Sequence, residues 1–580
     1  MLTHTTYMGE LKVPIGSVPF NRLVGGSYLF VDKSLLIKRI EESGSSSILI
    51  TRPRRFGKTF AINMLNRFYN VKFKEEESER DSFSDLKLGR DPTYHQYASA
   101  EGPKNNYPVI VLDMSMIEFE DIDSFRPNLF AYMKKMATME FDYLWRSDII
   151  DREYINTIFE NEKGEEYEPG LVLTNICSAL TRYHGTPPII LVDEYDKPIE
   201  HAINMPNSDR FMSMYGSFLR VALKGNPYKS KVIMFGIQRV VIHGLFSALN
   251  DYDHMGVTSC GVKEYFGFTT TEVKELIELR VKNTLPEASE EYQTEVIHEK
   301  YQLAKEWYDG YSIGGEEIFN PWSIALFLKN NVPYDTKPKC YWNDTAESSV
   351  ITYTFSEAGI DTIDEIRKMY ISGEPINIPS VMENTPLWKP GNHMTKTEML
   401  SLLVFAGYLT TREKDDCIEL SIPNREVRSS FDELMERVYC ISIPSVIRLM
   451  DHIVRKDASA VKEDLEHLME SGSYLDGWHE QRYKQWFSQL LAINGYITVT
   501  EREVGIGRSD IIVERYKNKP PLLIELKVLD AEDDPTRITD EVEEGTRQII
   551  KNGYVRNRSM SDTIAFSVAF WKKRCEVRFL

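Results

Sequence analysis

ILITRPRRFGKTFAINMLNRFY, residues 48–69, decides the fold of the first half of this 580-residue chain. Ile48–Ile50 is an apolar run of strand length, and the basic loop TRPRRFGKT (51–59) follows at once. Ala61, Met64, Leu65 and Phe68 then recur at helical spacing. Strand, loop, helix is the context that a phosphate-binding loop requires. In such a loop Gly57 lets the backbone approach the phosphates, Lys58 reaches the terminal phosphates and the Thr59 hydroxyl ligates magnesium. Arg54 and Arg55 add positive charge beside them. The loop departs from the usual pattern at one place: Arg52 stands where its first glycine is expected.

A phosphate loop needs a carboxylate partner, and PPIILVDEYDKPIE (187–200) supplies one. A wholly apolar strand belongs to a parallel sheet covered on both faces. Carboxylates at its carboxyl end project toward the nucleotide. Asp193 is expected to hold magnesium through water, Glu194 to orient or deprotonate the attacking water, and Asp196 to assist from behind. The alternative is an acidic turn closing a core strand. YPVIVLDMS (107–115) and SKVIMFGIQRV (230–240) read as two more strands of the same sheet. Gln238 and Arg239, just beyond the second, are candidates to sense the terminal phosphate, weighed evenly against solvated side chains.

Near the other end, GRSDIIVE (507–514) and LLIELKV (522–528) are strands joined by the turn KNKP. A period of two puts Glu525 and Lys527 on one face with Leu526 opposite. Asp510, fifteen residues before Glu525, adds a second carboxylate. Two carboxylates bind a divalent metal that polarises a phosphodiester and acidifies a bound water, and a lysine stabilises the developing charge. Glu480, in the helix HEQRYKQWFSQLLAINGY (479–496), is a candidate further metal ligand, with Glu501 and Glu503 as rivals. Gln548, in EGTRQIIKNGY (544–554), is placed to contact phosphate or water. TIAFSVAFWKKRCEVRF (563–579) supplies two late strands around a basic turn.

Between these ends, TTTEVKELIELRVKNTL (269–285) is helical, with threonines to cap its start. In WYDGYSIGGEEIFNPWSIALFL (307–328), Trp307, Tyr308 and Tyr311 could stack bases, but the interrupting glycines, proline and apolar residues favour a packed subdomain. MTKTEMLSLLVFAGYLTTREKDDCIELSIPN (394–424) reads as helix, turn and hairpin, the pattern of a winged helix. Acidic residues at its turn favour a coupling role over DNA binding.

Composition sets the outer limits. Hydrophobic residues at 42% and charged ones at 27% are ordinary for a globular chain of several domains. The six cysteines lack paired spacing, which argues against a zinc site or disulfide framework and for a reducing compartment. The opening MLTHTTYMGELKVP contains no basic stretch leading into an apolar one, and no window has the length of a membrane span. A cytoplasmic protein without membrane partners is expected. The net charge of -19 opposes tight general binding to nucleic acid, though a local basic groove can coexist with it.

VPIGSVPFNRLVGGSYLFVDKSLLI (13–37), the loop at 51–65, LVDEYDKPI (191–199), LFSALNDYD (245–253), YFGFTTTEV (265–273), WYDGYSI (307–313), FNPWSI (319–324) and YWNDT (341–345) together resemble the AAA-ATPase-like family. Its members commonly carry a carboxy-terminal PD-(D/E)XK nuclease-type domain. The resemblance makes Arg52 a family trait and implies a nucleotide-loop role for Arg52, Arg55, Phe56, Gly57, Lys58 and Thr59, with Asp193 and Glu194 serving metal and water. It implies an α/β chain: a P-loop NTPase parallel-sheet domain (1–268), a helical lid (269–350), a winged-helix-like or helical coupling region (351–440) and a restriction-endonuclease-like α/β domain (441–580). ATP is the expected nucleotide, Mg2+ the expected metal, with Mn2+ an alternative at the nuclease site. DNA is favoured over RNA as the nucleic-acid partner. Homo-oligomers are compatible with the resemblance, although no trans-acting arginine finger is evident. Against an ATP-driven nuclease stands an ATP-controlled switch or defence factor whose nuclease-like domain binds nucleic acid or a partner without free-standing cleavage.

Overall fold

The computed structural model describes residues 11–149 (except 17), 154, 157–160, 164, 166–240 (except 204), 252–259, 265–342 (except 314), 362, 365–366, 368–370, 373–382, 395–431, 443–471, 480–493, 498–504, 507–513, 520–530, 532–551 and 563–580. The side chains of 443, 444, 447, 470, 471, 480–482, 485, 489, 492, 493, 498–510, 512 and 513 lie outside the description. Two compact units divide the chain: Met1–Gly359 with Asn377–Arg428, and Ile360–Ile376 with Ser429–Leu580.

The first unit is built on a five-stranded sheet of β1 (Ser47–Thr51), β2 (Val109–Asp113), β3 (Ile189–Asp193), β4 (Lys231–Gly236) and β5 (Asp253–Met255). All neighbours are parallel, in the order β2-β3-β4-β1-β5. β1 and β3 are buried along their whole length. Covering helices on both faces therefore explain why these strands read as unbroken apolar runs. Ile110, Ile190 and Met234 of the sheet share one core with Phe125 of α2 (Ile122–Glu140), Leu173 of α3 (Pro169–His184) and Phe211 of α4 (Ser208–Leu219). α1 (Lys58–Tyr69) leaves directly from the loop after β1. Parallel strands bring all carboxyl ends to one edge. Because β4 lies between β1 and β3, the segments that follow all three meet there.

β4 ends against a tight turn. A Cβ added at Gly236 would lie 2.5 Å from the Tyr195 ring and 2.9 Å from Asp196 Oδ2. Gly236→Ala is therefore expected to destabilise the unit by about 1–3 kcal/mol, the usual cost of overpacking a filled core. Chemical denaturation of the two proteins measures it, and equal midpoints would refute the close packing.

α5 (Thr270–Thr284) and α6 (Glu290–Tyr308) are followed by the hairpin β6 (Tyr311–Ile313) and β7 (Glu316–Ile318), then α7 (Pro321–Asn330). Thr269 and Glu272 form a reciprocal capping box that starts α5. Val273, Ile277, Tyr308 and Phe327 pack together with Leu11 and Leu29 from the N-terminal stretch. Tyr308 is fully buried in this cluster and Trp307 partly so, so the aromatic segment is core here. Further on, α8 (Lys396–Ala406) starts in a Thr395–Glu398 capping box and stops at left-handed Gly407. The antiparallel hairpin β9 (Thr410–Lys414) and β10 (Cys417–Ser421) turns at Asp415, whose φ is 47°. β8 (Ile376–Ile378) lies beside β10. The helix, turn and hairpin match the order read from the sequence.

The second unit has α9 (Ile443–Val454), α10 (Ala458–Ser471) and α11 (Glu480–Ile493) before a five-stranded sheet. Its order is β11 (Thr498–Val504), β12 (Gly507–Val513), β13 (Leu522–Val528), β14 (Ile564–Trp571) and β15 (Arg574–Phe579). Only the β13–β14 pair is parallel. Joining a parallel pair requires a crossover, and α12 (Ile538–Lys551) lies between those strands in the chain. Leu522, Ile524 and Leu526 face a core containing Leu449, Leu465 and Phe487, whereas Leu523 packs with Ile549 of α12. Strand alternation then puts Glu525 and Lys527 on the α12 side. Among the described residues, no helix is long and apolar enough to cross a membrane.

Candidate functional site

Residues of the first unit surround a cavity of about 570 Å³ at the carboxyl edge of its sheet. Gly57 caps α1 with φ 81° and ψ 23°, a left-handed conformation that glycine adopts without a Cβ penalty. Nothing lies within 4 Å of where its Cβ would be, so the backbone conformation, not crowding, requires glycine. Arg55 also has a positive φ, 68°. The loop thus coils tightly around the Lys58 ammonium, which donates to the carbonyls of Arg52 (3.0 Å) and Pro53 (3.1 Å). Burial lowers the Lys58 pKa, against the pull of Asp196, Glu194 and Asp193.

The adjacent hydroxyl ties the loop to β3. Thr59 Oγ1 donates to Asp193 Oδ2 at 2.9 Å, and the other carboxylate oxygen accepts from the Glu194 amide at 3.0 Å. Burial pushes the Asp193 carboxyl up to about 6, opposed by the Thr59 hydrogen bond and Lys58. Glu194 has φ 48°, left-handed for a residue with a Cβ, and lines the cavity. Such a conformation costs roughly 1–3 kcal/mol and persists only where neighbours enforce it.

The enforcing contacts run to β4. Tyr195 N donates to Phe235 O at 3.1 Å. Asp196 Oδ2 accepts from the amides of Ile237 (2.7 Å) and Gln238 (3.2 Å). Tyr195 Oη donates to Gln238 O at 2.6 Å and accepts from Val240 N at 3.0 Å. Burial, reinforced by Glu200, raises the Asp196 pKa. Sequence reasoning gave Asp196 a vague supporting role and missed Tyr195. A tyrosine beside an acidic turn carries no signal until β4 is known to be the neighbouring strand.

The other loop cations each have an internal partner. Arg54 Nη2 lies 3.1 Å from Glu200 Oε2, and the Arg55 guanidinium sits 4.1 Å above the Trp322 ring. Both arginines line the cavity. Phe56 also borders it, buried, with its ring edge-on to Tyr311 at 5.1 Å. Arg52 does not. Its side chain is fully buried, donates to Thr51 O (2.5 Å) and Met255 O (2.7 Å), and stacks 4.7 Å over Phe266. In this position it clamps β5 to β1. Arg239 is half-buried and likewise absent from the cavity lining.

In the second unit, Glu525 is 1% exposed on β13. Lys527 Nζ donates to Gln548 Oε1 at 2.8 Å and to Glu525 Oε1 at 3.4 Å. Gln548 reaches Lys527 from α12, so the strand and its crossover helix build the group together. The β12–β13 ladder pairs Ile511 with Ile524. Asp510 immediately precedes Ile511 and Glu525 immediately follows Ile524, so each is the next residue along its strand beyond that pair.

Comparison with known proteins agrees with this division. A family model described as AAA-ATPase-like, a predicted AAA-ATPase, matches residues 14–246. A second, for the PD-(D/E)XK nuclease superfamily, matches residues 478–578. The chain joins an AAA-ATPase-like domain to a PD-(D/E)XK nuclease-superfamily domain. An uncharacterized protein in the vnfD 5′ region of Azotobacter chroococcum mcd 1 is 23% identical over 450 residues, covering 76% of this chain and 73% of that protein. A Walker-type ATPase of Pyrococcus abyssi is similar at a TM-score of 0.35 and 12% identity, over 70% of this chain and 96% of that one.

Both domains imply a divalent metal. In the AAA-ATPase-like domain the Thr59 hydroxyl and Asp193 carboxylate are hard oxygen donors, 2.9 Å apart. Magnesium at phosphate sites commonly takes one or two such protein ligands and fills its remaining positions with water and phosphate, so the pair fits. In the nuclease-superfamily domain Glu525 offers a buried carboxylate of the right chemistry. Glu480 begins α11, Asp510 lies in β12, and Glu501 and Glu503 lie in β11, with all four side chains outside the described residues. Among the described residues, no group of three or more His, Cys, Asp or Glu is placed to hold a metal ion.

Proposed function

We propose that this chain binds and hydrolyses a nucleoside triphosphate, ATP by resemblance, and couples it to a divalent-metal-dependent nuclease that cleaves phosphodiester bonds in DNA in preference to RNA. The observation that carries the nuclease reading is the grouping of Lys527 with Glu525 and Gln548 on one face of β13. A structural lysine has no need of a nearly inaccessible carboxylate on one side and a helix-borne amide on the other.

In the ATPase, Lys58 exchanges its two loop carbonyls for terminal phosphate oxygens. Thr59 and Asp193 hold magnesium, and Glu194 orients the attacking water. Gly57 admits the phosphates to the backbone, and Arg55 meets them from the lid side. In the nuclease, Asp510 and Glu525 would hold magnesium or manganese, with Glu480 as a further ligand. A metal held there would polarise the phosphodiester and lower the pKa of a water. Lys527 stabilises charge on the pentacoordinate phosphorus as the water oxygen bonds to it and the P–O bond to the leaving oxygen breaks, and Gln548 keeps its ammonium in place. The net charge of -19 makes sequence-independent affinity weak and salt-sensitive.

Purified protein is to be incubated with single- and double-stranded DNA and RNA, with Mg2+ or EDTA, with and without ATP. Cleavage that EDTA abolishes and ATP alters is expected. A folded protein that leaves every substrate intact under all conditions would instead favour the switch. Competition among ATP, GTP and CTP should rank ATP first, and equal competition would reduce the assignment to an NTPase without base preference.

A further inference from the structure

Gln548 reaches Lys527 from α12, which packs closely on the sheet. One close approach is at Gly545, about one helical turn before Gln548. A Cβ built at Gly545 would lie 3.0 Å from the Ser567 Cβ and 3.6 Å from the Cγ atoms of both Glu525 and Lys527. Carbon atoms prefer about 3.5–4.0 Å, so an added methyl fits only if Ser567 or the helix gives way by a few tenths of an ångström. Ser567 is fully buried and is the direct cross-strand partner of Glu525 on β14. Its hydroxyl donates to Val542 O on α12 at 2.7 Å and lies 2.7 Å from Thr546 Oγ1. Thr546 Oγ1 also contacts Val542 O at 2.8 Å. The helix is therefore seated on β14 by a glycine notch and a hydroxyl pair, beside the two proposed active-site side chains.

We infer that Gly545 is a positioning residue. Its missing side chain sets the height of α12 over the sheet, and that height decides whether Gln548 can hold Lys527 over Glu525. Ser567 from the strand and Thr546 from the helix lock the same height. Gly545 touches no substrate and acts through Gln548 and Lys527. The importance given to Lys527 rests on the proposed nuclease reading, but the seating itself does not.

The test uses the full chain and reads Lys527 directly. Acetic anhydride labelling is followed by peptide mass spectrometry and normalised to Lys551, which is exposed on the same helix. Gln548→Ala should label Lys527 roughly fivefold faster, about the effect of one lost hydrogen bond. Gly545→Ala should do the same. Thr546→Val keeps the helix shape while removing one hydroxyl. It should give a smaller increase and covers the case in which Gly545→Ala does not fold. Wild-type labelling in folded Gly545→Ala and Thr546→Val, each melting cooperatively, would overturn the inference. Cleavage measured in parallel separates the two ideas. If the wild type cuts nothing while Gly545→Ala still frees Lys527, the nuclease reading fails and the seating stands. If Gly545→Ala labels and cuts like wild type, the seating fails and the nuclease reading survives.

Discussion

Replacing Asp510 with asparagine is expected to bring nucleic-acid cleavage to background while ATP hydrolysis stays within about twofold of wild type. A bound metal supplies several kcal/mol of transition-state stabilisation, and each 1.36 kcal/mol is tenfold in rate. Weakening its carboxylate set should therefore cost roughly 10³-fold or more. Lys527→Ala should spare metal binding, measured by titration with Mn2+, and still cost about 10²–10³-fold in cleavage, as expected when one donor to a developing charge is removed. The contrast between the two variants is informative: one loses metal affinity with cleavage, the other loses cleavage alone. Undiminished cutting in both, with contaminating nuclease excluded, would refute the site. Because the phosphate loop and β13 belong to separate compact units, retained ATP hydrolysis shows that the effect is confined to the nuclease unit, and the folding of that unit is checked by cooperative melting of each variant.

The second large effect is expected at the phosphate loop. Lys58→Ala should weaken ATP binding by roughly 10- to 150-fold, since a charged hydrogen bond is worth about 1.5–3 kcal/mol and 1.4 kcal/mol is tenfold in affinity. Glu194→Gln should bind ATP within about threefold of wild type yet turn it over roughly 10²–10⁴-fold more slowly, the range for losing a general base. Equilibrium binding and phosphate release, measured on the same preparations, separate these outcomes. Unchanged affinity in the Lys58 variant would sink the nucleotide-site assignment.

Much of the site was legible in linear sequence because its parts are local. Gly57, Lys58 and Thr59 are consecutive and sit at a strand-to-helix junction that periodicity alone reveals. Glu525 and Lys527 share a face by the alternation of a strand, and the structure keeps them together. Gln548 was a weaker candidate, since its distance from Lys527 depends on how a helix packs, and the structure places it at 2.8 Å. Arg52 was misleading for a related reason. The family resemblance implied a nucleotide-loop role for it, but its side chain turns inward under β5, a three-residue edge strand with no pattern to announce it.

The amino-acid sequence by itself determined the types of the longer elements, the strand-loop-helix of the candidate nucleotide site and the two-residue spacing of the candidate nuclease strand. Backbone periodicity and turn chemistry act over a few residues, so they can be read without knowing what lies alongside. Only the tertiary structure decided that β4 separates β1 from β3, and hence that Tyr195 and Asp196 lock the Glu194 turn to residues more than forty positions later. It alone decided that Gly545 seats a helix against Ser567. Strand order and the height of a helix over a sheet follow from long-range packing among many side chains, and no single stretch of sequence contains that information.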